Sequence, residues 1–87
     1  MAEIDVREIN PQTFRVTVTA GSSTEHEVSV DPEYVQKLWK DSTSTAELVK
    51  KSFEFLLERE SNKTILRRFD LSVISHYFPE YERVISK

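Results

Sequence analysis

The hydrophobic pattern of the chain changes its period at Asp31 and Pro32, and this change constrains the fold more than any other feature. Before it, apolar residues alternate with polar ones, which is typical of strands buried on one side. After it, apolar residues recur at intervals of three and four, which is typical of amphipathic helices. Strands followed by helices indicate an α+β fold, with the helices packed on one face of an antiparallel sheet.

Three alternating segments precede the change of period, and they predict a three-stranded antiparallel meander. The turn residues Asn10-Pro11 and Ala20-Gly21 separate these segments, and such short connections favour antiparallel pairing. The predicted strands cover about residues 3–9, 13–19 and 24–30. The side chains expected on the apolar face are Ile4, Val6, Phe14, Val16, Val18, His26, Val28 and Val30.

The part of the chain after the change of period predicts three to four helices. Asp31 can accept hydrogen bonds from the first turn of a helix that begins at Pro32. Ser44 and Glu47 form a capping-box pattern at the start of the second helix. The predicted helices cover about residues 32–40, 45–60, 63–69 and 71–85, and the last of them is broken at Pro79.

The expected core combines the apolar face of the sheet with the apolar stripe of the second helix. We expect Trp39, Phe53 and Phe69 to pack against the valines of the second and third strands. Three short strands are not stable alone, so the helices must supply this covering layer. The stripe of the second helix contains Leu48, Val49, Phe53, Leu56 and Leu57.

The composition indicates one globular domain, residues 1–87. Hydrophobic residues make up 38% of the chain and charged residues 31%, which suits a small core with a well-solvated surface. The chain contains no cysteine, so it has neither disulfides nor thiolate zinc sites. Its start is charged and lacks the apolar region of a signal peptide, and we therefore expect a soluble, cytoplasmic protein.

The histidine, serine and glycine residues of the chain do not form a catalytic, metal-binding or phosphate-binding motif. His26 and His76 lie far apart in the sequence, and neither has the spacing of a metal-binding motif. Ser75 precedes His76, but catalytic triads are assembled in space rather than in sequence. A single glycine leaves no room for a phosphate-binding loop. We therefore predict that the protein is not an enzyme and binds no cofactor or metal.

Residues 62–78 raise an alternative hypothesis, a DNA-binding regulator or antitoxin-like protein with a helix-turn-helix-like segment. The net charge of the chain is −3, yet residues 61–87 carry five basic and three acidic residues. A recognition helix must present polar side chains, and most side chains of this segment are apolar. The residues that would contact nucleic acid are Lys63, Arg67, Arg68, Ser72, Ser75 and His76.

Aromatic residues near the C-terminal end of the sequence favour a protein-interaction module. Tyr77, Phe78 and Tyr81 combine large apolar area with polar groups, as residues at interface cores do. The same rings would also serve to close the core of a small domain. An uncovered edge of the sheet would be a second pairing site. The predicted partner is another protein or a second copy of this chain, and no membrane is involved.

Two stretches of the helical half resemble known proteins. These are Ser-Phe-Glu-Phe-Leu-Leu-Glu-Arg-Glu at 52–60 and Tyr-Phe-Pro-Glu-Tyr at 77–81. They are similar to segments of short prokaryotic proteins of unknown function. The resemblance implies a small, single-domain, cytosolic protein, and it implies no activity and no site. A looser likeness is to small antitoxin components, which are compact, acidic overall and bind a partner.

Overall fold

The computed structural model describes residues 3–38 and 44–85, and it confirms an α+β fold. The elements follow one another in nearly the predicted order, with one additional strand among the helices. The strands are β1 (Glu3–Asn10), β2 (Thr13–Ala20), β3 (Ser22–Ser29) and β4 (Arg68–Asp70). The helices are α1 (Pro32–Leu38), α2 (Thr45–Leu57), α3 (Val73–Tyr77) and α4 (Tyr81–Ile85).

The predicted meander is present, and its strands lie in the order β1-β2-β3-β4. Val16 of the central strand pairs with Val6 on one side and with His26 on the other. Gly21 connects β2 to β3 with a φ of 87°, a conformation that a side chain would strain. The predicted apolar face is confirmed: Phe14, Val16, Val18, His26, Val28 and Val30 are buried, and Ile4 and Val6 at the edge are half-buried.

The local signals for helix starts are confirmed. Asp31 Oδ1 accepts a hydrogen bond of 3.0 Å from the amide of Glu33, and Pro32 is the first helical residue. Ser44 Oγ accepts a bond of 3.1 Å from the amide of Glu47. The last two positions predicted for the first helix, residues 39 and 40, lie outside the described residues.

The end of α2 comes three residues earlier than predicted, at Leu57 rather than at residue 60. The amide of Arg59 bonds to the carbonyl oxygen of Leu56, which tightens the last turn. The Arg59 guanidinium donates to the carbonyl oxygen of Phe55 at 3.1 Å and lies 3.6 Å from the centroid of the Phe55 ring. Arg59 thus satisfies a terminal carbonyl from outside the helix.

The prediction of a helix over residues 63–69 is wrong. Residues 62–64 form a turn, and Arg68, Phe69 and Asp70 form β4, which pairs in parallel with β3. Phe69 is buried between a more exposed Arg68 and Asp70, which is the alternation of a strand. The run of apolar residues that suggested a helix is too short to distinguish the helical period from that of a strand. The edge of β3 is available for pairing, and residues 68–70 therefore form a strand.

The core lies between the sheet and the helices, and Phe53 of α2 is at its centre. The ring of Phe53 is fully buried, 5.4 Å from the ring of His26 and 6.0 Å from the ring of Phe69. The predicted burial of Phe53 and Phe69 is therefore confirmed, whereas Trp39 lies outside the described residues. Among the described residues, no helix has the length and apolarity to cross a membrane.

The break at Pro79 is confirmed, and it separates α3 from α4. Tyr34 of α1 donates a hydrogen bond of 2.9 Å to Glu82 of α4 and so links the two ends of the helical layer. Burial and this bond raise the pKa of Tyr34.

Asp70 connects β4 to the start of α3. Its carboxylate accepts hydrogen bonds from the hydroxyl of Ser29 and from the hydroxyl and amide of Ser72. Burial alone would raise the pKa of Asp70, but these bonds outweigh it and hold the pKa below its usual range. The carboxylate therefore stabilises the fold above the ordinary aspartate pKa of about 3.9, and this contribution is lost as the pH falls through the depressed pKa.

We therefore expect Asp70→Asn to reduce the difference in unfolding free energy between pH 7 and pH 3. Denaturant titrations at both values measure this difference. Glu25→Gln is the matched control, because Glu25 is exposed and has no hydrogen-bond partner among the described residues. An equal pH dependence in wild type and in Asp70→Asn would contradict the role given to this carboxylate.

Candidate protein-interaction site

An apolar groove of about 400 Å³ opens between the end of α2, the segment 60–66 and α3. Buried side chains form its floor, and partly or largely exposed side chains form its rim. The floor consists of Leu56, Ile65, Phe69 and Ile74, and the rim consists of Leu66, Val73, Tyr77 and Phe78. Glu60 and Thr64 are its polar lining residues.

The rim contains two of the large hydrophobic side chains that the fold leaves in solvent. Tyr77 is 67% exposed and Leu66 is 47% exposed. Phe78 is half-buried because one side of its ring contacts Phe55, with the ring centroids 5.8 Å apart and nearly perpendicular. Exposed apolar side chains that surround a concave apolar floor are typical of interaction sites.

The three aromatic residues predicted to bind a partner lie in different environments. Tyr77 and Phe78 line the groove, whereas Tyr81 is fully buried. The Tyr81 hydroxyl lies 2.6 Å from Ser52 Oγ, and its ring packs against Phe55 at 5.3 Å. Burial raises the pKa of Tyr81. Tyr81 therefore belongs to the core, and only the first two rings are available at the surface.

A chain of partly buried hydrogen bonds holds the segment 62–66, which forms one wall of the groove. Asn62 donates to Thr24 Oγ1 at 3.1 Å, and the Thr24 hydroxyl is 2.9 Å from His26 Nε2. His26 Nδ1 is 2.8 Å from the carbonyl oxygen of Leu66. A carbonyl oxygen only accepts, so Nδ1 donates to Leu66, and the Thr24 hydroxyl lies against Nε2. The sheet thereby holds both ends of the segment 62–66.

The polar groups of the groove are bonded to each other. The Thr64 hydroxyl is 3.0 Å from Glu60 Oε1 and 2.9 Å from the carbonyl oxygen of Ser61. Asn62 also donates to the carbonyl oxygen of Ser22 at 3.0 Å, which ties this turn to the hairpin of β2 and β3. The polar end of the groove is therefore held in shape by its own contacts.

Two basic residues lie within or next to the wall of the groove: Lys63 is part of the segment 62–66, and Arg67 follows it. Lys63 and Arg67 are exposed, and neither has an ion-pair partner among the described residues. Arg68 lies 3.7 Å from Glu27 in an exposed pair across β3 and β4. The surface beside Leu66 thus carries positive charge that the described part of the fold does not neutralise.

The residues proposed to contact nucleic acid are not presented by a helix-turn-helix. Residues 62–78 contain a turn, β4 and α3, so the first helix of such a motif is absent. Lys63, Arg67, Arg68 and His76 are exposed, but both serines are engaged locally. The Ser72 hydroxyl donates to Asp70 at 2.6 Å, and the Ser75 hydroxyl donates to the carbonyl oxygen of Ser72 at 2.8 Å.

Sequence reasoning did not identify Leu66, Asn62 and His26 as parts of this site. Leu66 falls within the helix that the sequence predicts over residues 63–69, and Asn62 falls between two predicted helices. His26 was correctly placed on the apolar face of β3, where its burial is almost complete. One signal was present: a histidine on an apolar strand face requires hydrogen-bond partners for both ring nitrogens.

No protein-family model, curated protein or solved structure matches the chain. Within residues 3–38 and 44–85, no group of three or more histidine, aspartate or glutamate side chains is arranged to hold a metal ion.

Proposed function

We propose that this chain is a non-enzymatic protein-interaction module, and that its groove binds an apolar segment of a partner protein with acidic residues beside the apolar ones. The observation that carries the proposal is the exposure of Leu66 and Tyr77 on the rim of an apolar floor. Burying these side chains against a partner removes apolar surface from water, which is the main driving force of association.

The shape of the groove favours a segment with a few protruding side chains. Its lining is largely apolar, and its two polar residues already bond to each other. Such grooves bind amphipathic segments, whose apolar residues enter the groove while the polar ones remain in water. Tyr77 offers a large ring with few rotatable bonds, which suits a contact at the centre of an interface.

The charge beside the groove supports an acidic partner. Lys63 and Arg67 are exposed and have no ion-pair partner within the described residues, and they lie on either side of Leu66 in the sequence. The Glu60 carboxylate accepts a hydrogen bond from Thr64. Acidic residues on the partner would complement this surface and increase the rate of encounter.

The test is a selection from a displayed library of random peptides against the purified protein. We expect the selected peptides to combine aromatic or aliphatic residues with aspartate and glutamate. Leu66→Asp should weaken their binding by roughly tenfold or more, because it places a charge on the apolar rim. Val84→Asp is the matched control, since Val84 is an exposed apolar residue outside the groove. Titration calorimetry measures both affinities.

Two results would overturn the proposal. The first is a selection that yields no peptides, or peptides whose affinity is unchanged by Leu66→Asp. The second is duplex DNA binding that weakens steeply with salt and is lost in Lys63→Glu with Arg67→Glu. That second result would assign the basic surface to nucleic acid rather than to an acidic protein segment.

A further inference from the structure

The strand β1 forms one edge of the sheet, and within the described residues it pairs only with β2. An edge strand presents a row of backbone donors and acceptors on its free side. Its regular pairing with β2 runs from Glu3 to Glu8, after which the register shifts before Asn10. The free edge of β1 therefore offers a straight segment of about the usual strand length, five to six residues.

The face of β1 away from the helices carries charges of opposite sign two residues apart. The side chains of Asp5 and Arg7 are 66% and 79% exposed, and Arg7 Nε lies 3.5 Å from Asp5 Oδ2. Arg7 also lies directly opposite Arg15 of β2, so its neighbour within the sheet has the same charge. A negative charge on the free side of Arg7 would offset this repulsion.

We infer that β1 pairs with β1 of a second copy of this chain, antiparallel and about a two-fold axis at Val6, so that two sheets join into one. Asp5 of each copy then lies opposite Arg7 of the other, which places a second carboxylate beside each Arg7 in addition to Asp5 of its own chain. The same surface on both copies is self-complementary, as a two-fold interface requires.

Charge favours this register over its neighbours, because every opposed charged pair in it has opposite signs. A shift by two residues toward the start of the strand places Asp5 opposite Asp5, although it also places Glu3 opposite Arg7, and a shift toward its end places Arg7 opposite Arg7. Like charges directly opposite each other destabilise a strand pair. A shift by one residue would place the helical layers of the two copies on opposite sides of the joined sheet. The register centred on Val6 avoids all three arrangements.

The helical side of β1 is also suited to a second copy. Ile4 and Val6 are only half-buried there, because no further strand within the described residues covers them. In the inferred register, Val6 of one copy lies opposite Val6 of the other, so pairing would bury more of this apolar surface. A cleft of about 550 Å³ lies beside Ile4, and its charged lining residues are Lys50, Glu3, Glu54 and Glu58. Glu8 of the second copy would lie at the edge of this mixed cleft, so the favourable charge pairs of the interface are those of Asp5 with Arg7.

The first experiment is a concentration series by light scattering or sedimentation on the full chain. We expect a dimer whose dissociation constant rises roughly tenfold or more in Asp5→Arg and in Arg7→Asp alone, because each change places like charges opposite each other twice. An equimolar mixture of the two variants should form a heterodimer, in which every opposed pair has opposite signs. A wild-type protein that stays monomeric at about 1 mM would overturn the inference, and so would a dimer that both variants leave unchanged.

The second experiment uses the absence of cysteine in the chain. Val6→Cys places a thiol on the inferred axis, opposite its own copy, and mild oxidation should link the two chains. Thr17→Cys is the control, because Thr17 lies on β2, and the β1 strands of both copies would separate the two thiols. Equal cross-linking of the two variants would overturn the inference, whereas efficient linkage of Val6→Cys alone supports it. The folded state of each variant is checked by circular dichroism.

Discussion

Phe53→Ala is expected to lower the free energy of unfolding by about 3–5 kcal/mol, the range measured when a buried phenylalanine is truncated. Phe53 is fully buried, and its ring contacts the rings of both His26 and Phe69. The change therefore leaves a cavity where α2, β3 and β4 meet. Small domains have a total stability of only about 5–15 kcal/mol, so we expect a large part of the molecules to unfold on mild heating.

Phe78→Ala is the matched control for Phe53→Ala. It removes the same side chain from a half-buried position on the rim of the groove. We expect a loss of less than half that of Phe53→Ala, because less apolar area returns to water. Thermal and urea denaturation followed by circular dichroism measure both losses. Equal losses of stability in the two variants would contradict the placement of Phe53 at the centre of the core.

His26→Leu is expected to lower the free energy of unfolding by about 2–4 kcal/mol and to loosen the wall of the groove. Leucine has a similar volume but cannot bond to the carbonyl oxygen of Leu66 or to the hydroxyl of Thr24. Each buried polar group left without a partner costs about 1–3 kcal/mol. The segment 62–66 would then be held to the sheet mainly through Asn62.

Hydrogen exchange tests this role of His26 directly. We expect faster exchange of the amides in residues 62–68 of His26→Leu, with little change in the hairpin of β1 and β2. His76→Leu is the control, since this second histidine is exposed on α3. A variant that loses stability but keeps slow exchange in the segment would show that His26 acts through packing alone.

The features that could be predicted from the sequence are those that depend on interactions between residues close together in the chain. The faces of β2 and β3 follow from alternation, because side chains on a strand point to opposite sides. The starts of α1 and α2 follow from Asp31 and Ser44, whose capping bonds reach only two or three residues along the chain. Pro79 likewise acts on the residue before it.

The features that could not be predicted depend on residues far apart in the sequence. The apolar residues around Phe69 have a spacing that fits a helix as well as a strand. Phe69 lies in a strand because it pairs with Val28 of β3. Tyr77 and Tyr81 are one helical turn apart in sequence, yet only the second finds a buried partner in Ser52. The wall of the groove depends on His26, whose bond partner Leu66 is 40 residues away.

The parallel pairing of β3 with β4 has a consequence for the order of folding. The hairpins of the meander close over very short turns, whereas the Ser29–Asp70 contact joins residues 41 positions apart. Closing so long a loop costs more entropy than closing a hairpin, so β4 is expected to dock after the meander and α2 have formed. The groove is built on that docked segment. During synthesis on the ribosome, the groove would therefore be completed only after residues 68–78 have emerged.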